Sequence, residues 1–126
     1  MRYAFEPRHE SFFCTDFVEL LRGHNAALVF ADTAGKFPYA EELTSDLIYI
    51  RLHGSEEIYA SGYSTEELGR WAERIKKWCV GLQPRDAVRI SKTNFLARKE
   101  RDVYVYFDND IKVHAPFDAI SLASRF

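Results

Sequence analysis

Four short runs of β-branched and aromatic residues, each ending on ionisable or polar side chains, constrain this chain more than any other feature. They predict strands near residues 2–6, 26–31, 47–52 and 103–107. Tyr3 to Phe5 leads into Glu6, Ala26 to Ala31 into Asp32, Leu47 to Leu52 into His53, and Val103 to Phe107 into Asp108 and Asn109. Three of the four are near-continuous rather than alternating, the pattern of parallel strands covered on both faces.

Helical periodicity fills the intervals. Behind Thr15, taken as the cap, Phe17, Leu20, Leu21 and His24 repeat at i, i+3, i+4 and i+7. Over residues 64–79, Ser64 and Glu67 form a capping box. Leu68, Trp71, Ala72, Ile75, Trp78 and Cys79 make one apolar stripe there. Pro116 suits the first turn of a last helix that carries Phe117, Ala119, Ile120 and Leu122. Residues 32–46 hold Gly35 and Pro38 and leave room for at most a short helix around Tyr39 to Leu43. Strands alternating with helices predict an α/β fold with a parallel sheet and right-handed crossovers.

If the strands are parallel, their C-terminal ends share one edge, where ligands bind in open sheets and barrels alike. Glu6, Arg8, His9, Asp32, Arg51, His53, Asp108 and Asn109 then converge from distant parts of the chain. Each also has a purely structural reading. Asp32 and Asp108 can cap turns, and Arg51, inside an apolar strand, can form an ion pair with Glu6 or Asp108. His53, ahead of Gly54, suits a hydrogen-bonded turn as well as a general acid or base. His24 and His114 read as structural.

Glu6, His9, Asp32, His53 and Asp108 offer donors suited to Mg, Mn or Zn, yet no local spacing forms a metal motif, so a divalent cation is the lesser reading and no cofactor is specified. There is no phosphate-cradling GxGxxG or GxxxxGKS and no GxSxG elbow.

A chain of 126 residues with 47% hydrophobic content and a net charge of −2 is expected to fold as one domain, residues 1–126, without a global pull towards nucleic acid or anionic membranes. Its longest apolar run, Ala26 to Ala31, is far short of the roughly 20 residues that cross a bilayer. The charged start MRYAFEPRHE does not read as an export signal. Cys14 and Cys79 read as reduced thiols, and the expected location is the cytoplasm. Residues 85–101 carry six Lys or Arg against Asp86 and Glu100, a local charge of +4. This is a solvated loop in the plain reading and a nucleic-acid or protein-contacting arm in the alternative.

The blocks AFEPRHESF, LVFADTAGKFP, LIYIRLHGSEEIYASGYSTEEL and DVYVYFDNDIKVHAPFDAISLA resemble the YecE-like family, domain of unknown function 72. The resemblance spans nearly the whole chain and is weakest over 80–101. It implies a TIM-type (β/α)8 barrel with the matching residues on its pocket face, and it brings no established activity. Such a barrel takes roughly 250 residues, so the four strands here correspond to a C-terminal half with the first half absent. A half barrel is expected to pair with a second copy or with a separately encoded first half, or else to lack independent activity; a small open sheet with helices on both faces is the remaining possibility. The enzyme reading gives Glu6, His53 and Asp108 acid–base roles on a small polar or anionic ligand. Arg8, His9, Asp32, Arg51, Tyr59, Tyr63 and Asn109 bind that ligand, and residues 54–63 suit a lid.

Overall fold

The computed structural model describes residues 1–54, 62–92, 100–109 and 114–126. In chain order they form β1 (Ala4–Phe5), a 3-10 turn (Glu10–Phe12), α1 (Thr15–Gly23), β2 (Ala27–Asp32), β3 (Leu47–Leu52), α2 (Thr65–Cys79), β4 (Asp102–Phe107) and α3 (His114–Ala123). The strands make one sheet in the order β1-β2-β3-β4, and every neighbouring pair is parallel. No helix among these residues is long and apolar enough to cross a membrane.

Strand geometry sorts side chains onto two faces by parity. Leu28 and Phe30, Ile48 and Ile50, and Val103, Val105 and Phe107 point to one face. There α2 lays Leu68, Ala72, Ile75 and Trp78 against them, and α3 adds Leu122. Phe30 meets Trp78 edge-on with ring centroids 5.1 Å apart. On the same face α1 packs Phe17 and Leu21 around Leu28. The capping box at Ser64 and Glu67 starts α2, with both reciprocal hydrogen bonds formed.

The other face is open. It is a concave trough of about 520 Å³ walled by Val29, Leu47, Tyr49, Arg51, Tyr104 and Tyr106. The expectation of strands covered on both faces holds for β2, buried from Ala27 to Ala31, and fails for β4, which alternates exposed and half-buried residues. At this open face and edge Tyr104 and Tyr106 have no covering layer among the described residues, and Tyr106 stacks on Tyr49 at 5.0 Å and 16°. The trough draws its walls from all four strands, and Arg2, just before β1, donates to Asp102 at the start of β4 at 2.9 Å.

One further expectation changes. Thr15 is the first residue of α1, and the N-cap is Cys14, which makes no side-chain capping bond. Residues 33–46, with room for a short helix at most, contain none. This crossover is tied down by buried polar groups. Thr44 Oγ1 accepts from Leu28 N and donates to Ala26 O. Glu41 pairs with Arg74, and Glu42 accepts from Ser91 N at 2.6 Å. Cys14 and Cys79 are free thiols.

Candidate functional site

Because all four strands point the same way, Glu6 after β1, Arg51 in β3 and Asp108 after β4 meet at one end of the trough. Arg51 divides its guanidinium between two acids. Nε donates to Asp108 Oδ2 at 2.7 Å, and Nη1 donates to Glu6 Oε1 at 3.0 Å. Nη2 approaches Asp108 Oδ2 at 2.5 Å. Arg8 takes the other Glu6 oxygen, through Nε at 2.9 Å and Nη2 at 2.8 Å. Its guanidinium stands 4.7 Å from the Phe37 ring centroid, a cation–π contact.

His53 is fully buried beneath this array. Nε2 is 3.8 Å from Glu6 Oε1 and Nδ1 is 3.7 Å from Asp108 Oδ2, the same two oxygens that Arg51 holds. Burial first, and then the Arg51 charge, lower its pKa from 6.5 against the opposing pull of both carboxylates. The imidazole is therefore neutral at pH 7. With two arginines facing two carboxylates, the cluster carries no formal net charge.

The turn after β3 depends on glycine, since Gly54 has φ +124°. Its N–H donates to Tyr63 Oη at 3.1 Å, and Tyr63 Oη donates to Asp32 Oδ2 at 2.9 Å. Ala34 N donates to Asp32 Oδ1 at 3.3 Å. Burial raises the Asp32 pKa while these two hydrogen bonds oppose it. Burial, and then the charge of Asp32, also push the Tyr63 hydroxyl up.

Glu6, Arg8, Arg51, His53 and Asp108 thus form one connected set, and Asp32 with Tyr63 forms a clamp at the end of β2. The remaining candidates are placed differently. Buried Asn109 turns to α3, where Nδ2 donates to Asp118 Oδ2 at 2.8 Å; that oxygen also accepts from Tyr63 N at 3.1 Å. His9 is exposed and caps the 3-10 turn, with Nδ1 accepting from Ser11 N at 3.1 Å. Tyr59 and most of the expected lid lie outside the described residues. No group of three or more His, Cys, Asp or Glu in a metal-holding arrangement occurs among the described residues.

Sequence reasoning passed over Phe37, Asp118 and the Tyr49–Tyr106 wall. Asp118 had a signal, as the one acidic residue in a largely apolar helix. Tyr106 shares its parity with Asp108, and Tyr49 with Arg51, so both stand on the face of the cluster. In the basic stretch, Asp86 pairs with Arg74 at 2.7 Å, Arg89 approaches Glu42 at 3.5 Å, and buried Arg101 donates to Ser45 O at 3.1 Å. Two of its cations, Arg89 and Arg101, therefore turn inward. Residues 93–99 lie outside the described set.

A four-stranded parallel α/β sheet with a polar cluster at the strands' C-terminal ends defines the structural class. The model for the protein of unknown function DUF72 matches residues 1–126, and the chain belongs to that family. The crystal structure of a DUF72 family protein from Thermotoga maritima is similar, with 27% identity and a TM-score of 0.74 over 98% of this chain and 45% of that one. A DUF72 family protein from Enterococcus faecalis shares the fold at 19% identity, with a TM-score of 0.71 over 99% of this chain and 47% of that one. The chain therefore spans a little under half the length of either. No curated protein matches.

Proposed function

We propose that this chain is one half of a (β/α)8 TIM-type barrel and that the cluster at the mouth binds a small, hydroxyl-rich molecule and performs acid–base chemistry on it. Three features support the half-barrel reading. The strands follow one another in sequence order, all parallel. The described helices pack on one face. The concave face remains open, and its outer strands are unpaired among the described residues.

The observation that carries the functional reading is an imidazole buried between two carboxylates that one arginine bridges. Glu6 and Asp108 are the proton-accepting candidates and His53 the group that exchanges protons with them. Arg51 fixes their spacing. Both arginines already face carboxylates, so a free anion would have to displace one; a neutral sugar or polyol can hydrogen-bond to the outer lone pairs and N–H groups without doing so. The exposed tyrosines of the trough supply an apolar wall beside that polar end. The nucleic-acid reading of the basic stretch has less support, since Arg89 and buried Arg101 turn inward.

A thermal-shift panel of neutral sugars and polyols, sugar phosphates, inorganic phosphate and Mg, Mn or Zn salts tests this. A ligand at 100 times its Kd adds about 2.7 kcal/mol to stability. Neutral hydroxylated compounds should raise the melting temperature of the parent and not of His53→Gln. Stabilisation by inorganic phosphate alone, or equal responses in both proteins, would contradict the assignment.

A further inference from the structure

We propose that a second copy of this chain closes the trough, so that two half barrels form one eight-stranded ring. This rests on the half-barrel reading above and adds the identity of the partner. The two free edges are complementary. A two-fold axis along the trough lays β4 of one copy beside β1 of the other, parallel, and does so twice, which pairs both edges of both sheets and leaves none exposed.

The side chains agree with that pairing on both faces. On the convex side the β1 edge carries Tyr3 and Phe5, 55% and 49% exposed, to meet Val103, Val105 and Phe107 of β4. On the concave side Tyr104 and Tyr106, 44% and 49% exposed, would fall inside the ring. Charge is complementary at the lower end, where β1 is preceded by Arg2 and β4 begins with Asp102. Within one copy these two meet at that lower end of the trough at 2.9 Å, with side chains 38% and 64% exposed. In the ring the same pair forms between copies at the seam. The closed ring also brings both clusters, each with its own Glu6, Arg51, His53 and Asp108, to one mouth. Each half then supplies the wall that the other lacks.

Native mass spectrometry of the parent, Arg2→Asp and Asp102→Arg, alone and mixed in equal amounts, tests this. The parent should appear at twice the 14.7 kDa chain mass. Each single variant places like charges at both seams and should shift to monomer. The mixture should restore the dimer as a heterodimer, because both of its seams regain an opposite pair. A parent that is monomeric at its highest soluble concentration overturns the proposal. So does a mixture that stays monomeric while circular dichroism shows both variants folded, since the pair is then internal to each chain. Monomers taken up by the first half of the Thermotoga maritima relative's fold would contradict the second copy and keep the half barrel. Cooperatively melting monomers that do not associate with it would contradict both.

Discussion

Replacing Arg51 with methionine keeps most of the stem and removes the charge that joins three strands. The side chain is 31% exposed, and its partners Glu6 and Asp108 are 14% and 32% exposed. Breaking a fully buried pair costs roughly 3–5 kcal/mol, and an exposed pair contributes about 0–1 kcal/mol. This site lies between those limits, so a loss of about 2 kcal/mol is expected, read by urea titration. For a chain of 126 residues that corresponds to a melting temperature lower by roughly 6–10 °C. A second signal separates this from ordinary loss of packing. Arg51 helps to hold the His53 pKa down while Glu6 and Asp108 pull it up. Removing the guanidinium must therefore raise that pKa, visible as an upward move in the imidazole titration by NMR. A variant that melts within a degree of the parent and leaves His53 unchanged would refute the bridging role.

Arg74→Leu should be the costlier change. It leaves Glu41, whose side chain is 2% exposed, facing the neutral donors Tyr39 Oη and Val88 N without its cation, and the expected loss is about 3–5 kcal/mol by denaturant titration; a loss under about 1 kcal/mol would show that water reaches Glu41. Tyr63→Phe removes a hydrogen bond that lowers the Asp32 pKa, so the carboxyl carbon of Asp32 should titrate higher, and an unchanged midpoint would dissolve the clamp. The His53 pKa is lowered in the fold from 6.5. The unfolded chain therefore takes up that proton first, and its contribution to stability declines as pH falls below about 6.5, levelling beneath the native pKa. His53→Asn should flatten that part of the profile, and an identical slope would place the effect elsewhere.

The strand positions and the gathering of Glu6, Arg51, His53 and Asp108 were legible because both follow from local pattern. Each apolar run ends where its polar residue begins, and parallel order brings those ends together. The capping box at Ser64 and Glu67 was legible for the same reason, since both partners lie within one turn. What escaped depends on distant partners. Glu41 and Glu42 look like solvent-facing residues until Arg74, 33 positions on, and the backbone of Ile90 and Ser91 bury them. No short window shows that these contacts tie down the crossover. Asn109 was legible as the end of β4 but not in its direction, which is set by Asp118 on the following helix. Continuous apolar runs announced burial on both faces. For β4 that signal describes a layer these residues alone do not supply.

The most direct test is an NMR titration that follows the Arg51 guanidinium and His53 imidazole as a neutral sugar or polyol active in the thermal panel is added. If the strand ends form one binding site, both groups shift together on a single saturation curve, and Arg51→Met abolishes the response. Saturable shifts confined to residues 85–92, with Arg51 and His53 unmoved, would put recognition on another surface and leave the cluster a purely structural knot.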